Sequence, residues 1–360
     1  MTEINLIKQL CRIVALVSAV GMIAVLAACG DDSLSAEEYM ERARTQIAEQ
    51  NLQAGVIELK NAVQKDPKWA DARILLGETY LKLGDAASAE KELTRARDLG
   101  GAPAAITLPL ANAWLAQQKF RKVLDEVSVD ETASPARQAE VHLVRAKAHF
   151  GLKDPEAGKK ELGAAHALDP DSSRVLVMLS GLALIEKDLD KAKALIERAK
   201  EVAPDDPDVL TQAGEVARAR GDLAGVVAEY QALVKNNPDV QHYKLALAEA
   251  QINHGDLDPA IEALDAYLNR YPKQPYAHYL RGLAAYQKRD FEGAKQHAQL
   301  MVRAVPEYLP ALLVLGGAHF GLGENEQAIT YLKQFLASVP NHEPARRMLA
   351  AALLQTGDSN

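Results

Sequence analysis

Three tyrosines, Tyr276, Tyr279 and Tyr286, recur at spacings of three and seven, which sets them on one face of a helix. A tyrosine ring offers apolar area and a hydroxyl with few rotors to freeze, so such a stripe suits binding. Catalysis would instead need an acid, a base and a nucleophile that converge. The nine histidines supply no such set. No HExxH, GxSxG or GxxxxGK[ST] run occurs in the chain. His142 and His149, seven apart, can share a face and read as filler or surface residues. Both cysteines, Cys11 and Cys29, fall within the first thirty residues, so the body can form neither a disulfide nor a cysteine metal site. The expectation is no catalytic residue, no metal, no cofactor and no enzyme.

Cys29 is the remaining reactive group, and its setting is specific. Lys8 and Arg12 precede an uncharged run, IVALVSAVGMIAVLAA, over 13–28, and Gly30, Asp31 and Asp32 follow the cysteine. This is the order of a secretory signal. Leu26-Ala27-Ala28-Cys29 matches the lipobox of bacterial lipoproteins, with small residues for the peptidase cleft and a thiol to accept a diacylglyceryl group. The uncharged run is shorter than the roughly 20 residues that span a bilayer, which disfavours the alternative of an uncleaved anchor. Lipid chains at Cys29 would hold the body on a membrane without a spanning helix. Residues 1–28 are thus expected to be a lipoprotein signal peptide and 29–35 a short acylated linker. By resemblance to lipoprotein sorting, Gly30 implies the outer membrane, with the body facing the periplasm. The net charge of −8 becomes one unit more negative after cleavage and argues against binding nucleic acid.

What positions the tyrosines is a repeat. Pro170, Pro204, Pro238, Pro272, Pro306 and Pro340 stand 34 residues apart, and Pro135, Gly101 and Pro67 continue the series backward. Thirty-four is the period of the tetratricopeptide (TPR) helix hairpin. Sixteen residues before each marker lies a turn, often Gly-Asp, as at Gly84-Asp85 and Gly221-Asp222. The glycine eases a positive φ, and the aspartate caps the next helix. Small residues recur 24 and 12 before the markers, for example Gly282 and Ala294, where two helices cross. Each proline should then stop the second helix. The fold expected is all-α: a TPR α-solenoid forming a right-handed superhelix, with about nine repeats over 36–341. Residues 342–360 would be the first helix of an incomplete tenth repeat or a cap. The third repeat is the weakest, since its second helix, around FRKVLDEVSVD, looks short. The run MLAAALL at 348–354 is apolar nearly all round, so either something covers it or the natural chain continues; the second is favoured.

The concave side of such an array is built by the second, fifth, ninth, twelfth and thirteenth residues of each repeat. In the eighth these are Tyr276, Tyr279, Leu283, Tyr286 and Gln287; Phe320 is the twelfth of the ninth, and His242 and Leu245 belong to the seventh. Tyr276, Tyr279, Tyr286, Phe320 and His242 are the candidate partner-binding residues. The competing expectation is that these rings fill space between helices.

The block AEEYMERARTQIAEQNLQAGVIELKNAVQKDPKWADARILLGETYLKLGDAASAEKELTRARDLGGAP, close behind the lipobox, resembles the TPR-repeat lipoprotein of the PEP-CTERM/exosortase system, the PrsT family. The likeness extends through AHYLRGLAAYQKRDFEGAKQHAQLMVRAVPEYLPALLVLGGAHF, in repeats that many TPR proteins share. It implies an envelope lipoprotein of a Gram-negative bacterium, linked to exopolysaccharide production and to sorting of proteins with a short C-terminal anchor. Family members are usually longer. The function so implied is a scaffold for protein or peptide partners or polysaccharide machinery. The alternatives are a general TPR lipoprotein of outer-membrane or peptidoglycan assembly, and an enzyme domain beyond the C-terminal end.

Overall fold

The computed structural model describes residues 34–357, and among them the chain forms nineteen α-helices and no strand. Cys11, Cys29 and the signal segment lie outside the described residues. The helices fall into two compact units divided after Leu168. The first unit holds four hairpins: α1 (Ala36–Ala48) with α2 (Leu52–Lys65), α3 (Ala70–Lys82) with α4 (Ala86–Asp98), α5 (Pro103–Ala116) with α6 (Phe120–Glu126), and α7 (Pro135–Gly151) with α8 (Pro155–Leu168). The second holds five more: α9 (Ser173–Ile185) with α10 (Leu189–Val202), α11 (Pro207–Ala219) with α12 (Leu223–Asn236), α13 (Gln241–His254) with α14 (Leu257–Arg270), α15 (Pro275–Gln287) with α16 (Phe291–Ala304), and α17 (Leu309–Gly321) with α18 (Asn325–Ser338). A lone α19 (Glu343–Thr356) follows them.

The hairpin turn is the same throughout. Gln50, Gly84, Gln118, Lys153, Lys187, Gly221, Gly255, Arg289 and Gly323 all take a left-handed φ, at one register place per repeat. That conformation frees the last carbonyls of the first helix to accept two backbone N–H groups. In the fifth hairpin these are Lys187 N–H to Leu184 and Asp188 N–H to Ala183. The aspartate that follows caps the second helix: Asp85, Asp154, Asp188, Asp222 and Asp290 each accept the N–H three residues on. Asp256 departs from this expectation. It makes no cap and binds His254 Nδ1 instead (2.9 Å).

The small columns lie where expected. Ala43, Ala111, Ala146 and Ser180 are fully buried on first helices, as are Ala89, Ala192, Ala260, Ala294 and Ala328 on second helices. A Cβ at Gly282 would stand 3.0 Å from the Ala298 nitrogen and 3.3 Å from the Ala294 carbonyl, so the backbones of α15 and α16 meet there. Ser180 turns the close approach into a bond, its Oγ donating to the Ala192 carbonyl (3.0 Å).

The third hairpin differs. Its second helix, α6, has seven residues where other second helices have thirteen or fourteen. Pro135 does not stop it; Pro135 opens α7, behind the Ser134 cap. The physical cause lies in VSVDETAS: β-branched residues break the helical run, and Asp130 accepts both the N–H and the hydroxyl of Thr132 in a local turn. Arg145 of α7 then satisfies the freed end of α6, donating to the carbonyls of Val127 (2.8 Å) and Leu124 (3.3 Å). Glu161 of α8 holds Arg145 (2.9 Å) and His142 (2.6 Å). Beside the shortened helix is a cavity of about 350 Å³, floored by Ile106, Leu110, Trp114 and Val127 and edged by Arg97 and Glu126.

Candidate binding face of repeats seven to nine

Helix α15 exposes one side because its other side is spent on the core. Ala277, Leu280, Gly282, Ala284 and Ala285 are buried, which leaves Tyr276 and Tyr279 half-buried along the first-helix face. Their ring centroids lie 5.8 Å apart. Tyr279 meets Tyr308, the residue capping α17, edge-on at 5.1 Å and 77°. The Tyr276 phenol lies close enough to the Glu249 carboxylate of α13 to feel its charge. Burial raises the Tyr276 phenol well above its ordinary range, and the Glu249 charge adds to it. Burial, then Tyr308 and Glu249, push Tyr279 up to about 12. Tyr308 moves in the same direction, by burial and then Glu249. All three phenols feel the charge of one carboxylate, and all three stay protonated at neutral pH.

The other candidates do not join this group. Tyr286 lies over Gly317, where a Cβ would sit 2.6 Å from its hydroxyl. That hydroxyl faces Met348 Sδ of α19 (3.8 Å) and the ring leans on Phe291 (5.9 Å). Phe320 packs against the cluster shared by α17, α18 and α19. His242 is exposed and tilts against Tyr243 (4.3 Å). Glu249 and Tyr308 were not singled out in the sequence. The ninth-place rule that marks Leu283 also marks Glu249, whereas Tyr308 precedes its helix and carries no periodic signal.

Other polar clusters tie repeats together. Glu90 of α4 accepts from Trp114 Nε1 (2.8 Å) and Gln117 Nε2 (2.8 Å), and from Lys119 (2.5 Å) and Lys122 (2.9 Å). Burial alone would raise its carboxyl, but these four donors outweigh burial and hold it at about 2. His278 Nε2 donates to the Pro272 carbonyl (2.9 Å), so its Nδ1 accepts from His297 Nδ1–H (3.0 Å). Burial, then the charges of Arg281 and His278, push His297 down to about 4. Among the described residues no group of three or more histidines, cysteines or carboxylates is arranged to hold a metal ion, and no helix is long and apolar enough to cross a membrane.

Stacked helix hairpins with a partly exposed aromatic face define a helical-repeat binding protein. Tetratricopeptide-repeat models match residues 46–108, 149–213 and 285–353, and 211–275 and 245–308. They cover more than half of the chain, and the chain belongs to the tetratricopeptide-repeat family. A relative, cellulose synthase operon protein C of Pseudomonas fluorescens (strain SBW25), is 28% identical over 153 residues. That match spans 39% of this chain but only 12% of the relative's length. Among solved structures, PilW, a widely conserved type IV pilus biogenesis factor, superposes with a TM-score of 0.50 at 18% identity, over 60% of this chain and 98% of its own. YrrB, a TPR protein with an unusual peptide-binding site, gives a TM-score of 0.42 at 18% identity, over 54% of this chain and 95% of its own. At these identities the likeness concerns the fold alone.

Proposed function

We propose that this chain is an envelope scaffold, lipid-anchored through Cys29 and facing the periplasm, that gathers protein partners for exopolysaccharide export or PEP-CTERM protein sorting. It works by binding, without turnover. The observation that carries the reading is the half-buried tyrosine face on the first helices of a tetratricopeptide array, a fold that offers such a face to extended partners. The match to a cellulose synthase operon protein supports the exopolysaccharide setting. The lipobox and the PrsT-like opening block support the anchor and the sorting role. A photo-crosslinker at position 279, installed in cells, should capture a component of the export or sorting machinery, while one at Glu262 on α14 should not. Equal capture from both positions, or capture only of peptidoglycan or outer-membrane assembly proteins, would overturn the reading. In the same cells, the mature N-terminal peptide should begin at a lipid-modified Cys29 by mass spectrometry. Cys29→Ala should leave the precursor unprocessed; normal processing of that variant would refute the anchor.

A further inference from the structure

Within the second unit, the same register place is solved in two ways in consecutive repeats. In the sixth repeat, Glu215 of α11 binds its own cation. Arg218 Nη1 donates to Glu215 Oε1 (2.5 Å), the Tyr230 hydroxyl donates to the same oxygen (3.2 Å), and the guanidinium lies 5.8 Å from the Tyr230 ring centre. Thirty-four residues on, Glu249 takes the place of Glu215. The place of Arg218 is taken by Ile252, which is 1% exposed, and that of Tyr230 by buried Leu264. The cation is therefore missing, yet the carboxylate remains, and Glu249 makes no ion pair among the described residues. The aromatic side is supplied from the next repeat instead, by Tyr276, Tyr279 and Tyr308. All four side chains are partly exposed.

A carboxylate without an ion-pair partner keeps lone pairs for an incoming donor, and the neighbouring phenol rings, packed 5.1–5.8 Å from one another, carry faces that attract a cation. We infer that Glu249, Tyr276, Tyr279 and Tyr308 form a site for a guanidinium or alkylammonium group carried by an extended partner, which takes the role that Arg218 plays in the repeat before. The inference rests on the binding face proposed above and names the chemistry it selects. The overall negative charge of the chain steers cationic partners in the same direction. Ile252 explains why the chain does not fill the site itself, since an isoleucine at that place offers no charge.

The test uses two capped glycine–serine peptides that differ only in a central arginine or its neutral isostere citrulline. They are titrated into the protein with ring-labelled tyrosine and followed by NMR. The arginine peptide should shift the ring signals of Tyr276, Tyr279 and Tyr308 and bind about tenfold more tightly than the citrulline peptide, as expected for a desolvated cation over aromatic faces. Glu249→Gln, with its melting temperature checked alongside, should bring the two peptides level. Glu215→Gln should leave the arginine preference intact. Equal binding of both peptides to these rings would overturn the cation inference while leaving the binding face in place. Absence of ring shifts with either peptide at millimolar concentration would also overturn it. Crosslinking from position 279 in cells is independent of charge, so it separates failure of this inference from failure of the scaffold reading.

Discussion

At the scale of single residues, Glu90 shows how a charge can join repeats. Four donors from α5, α6 and the turn between them converge on its two oxygens. A glutamine there must point its amide N–H₂ at two of those donors, so the substitution leaves them unpaired. Glu90→Gln should destabilise by about 2 kcal/mol, a figure kept low because Lys119 and Lys122 remain about 40% exposed and screened. The sign with pH follows from the depressed carboxyl. The contribution is complete above the unfolded value, roughly 4.3, and is lost as pH falls toward the folded value of about 2. Urea unfolding of the two proteins should differ at pH 7 and converge at acid pH; a constant gap would refute the assignment. The tyrosines show how far residue types can be read from sequence. Helical spacing places Tyr276, Tyr279 and Tyr286 on one face. It cannot register that Gly317, one repeat later, opens room for Tyr286 to pack against α19. Glu249 sits at a place the register marks, whereas Tyr308 needed the contact with Tyr279 to become visible.

At the scale of elements, the hairpin turn is stricter than its sequence. Four of nine turns have glycine at the left-handed place, and Gln50, Gln118, Lys153, Lys187 and Arg289 hold the same φ without it. The reason is cooperative: the N–H of this residue and that of the next must reach back to the first helix, and this conformation lets them. A side chain with a Cβ is strained there, by roughly 1 kcal/mol. Lys187→Gly should therefore stabilise the second unit by about 0.5–1 kcal/mol, and Gly323→Ala should destabilise it by a similar amount. Thermal unfolding of both variants checks the pair, and a loss of stability in Lys187→Gly would reject the account. The helices, their order and the crossing columns were legible because proline, Gly-Asp and small residues repeat every 34 places. The role of Pro135 was not. The same residue type that follows other second helices there starts a helix, because α6 has already ended at Glu126. Composition alone does not distinguish a proline after a helix from one at its first turn.

At the scale of the whole molecule, stability in a repeat protein is a sum of repeat terms and nearest-neighbour interfaces. The family follows from the register, yet the place where an array is weakest depends on what each repeat buries. Eight of the nine hairpins bury two full-length helices. The third buries only Val123 along α6, ends that helix on a single arginine, and leaves the cavity of about 350 Å³ beside α5. Residues in that cavity wall face open space where a full-length second helix would pack. Val123 and Ala192 hold equivalent register places, and both are fully buried, so burial at the crossing does not separate them. What separates them is the length of helix that must open to expose each. Opening α6 breaks one short segment, whereas opening α10 must strip Ile196 and Ala199 from the core as well. Native-state hydrogen exchange should therefore show the Val123 amide exchanging at least about tenfold faster than that of Ala192. Arg145→Ala should widen the difference, because the carbonyls of Leu124 and Val127 would lose their donor. Equal protection at the two places, unchanged by that substitution, would mean that the truncated helix is as firmly held as its full-length counterparts and that the cavity has no bearing on local stability.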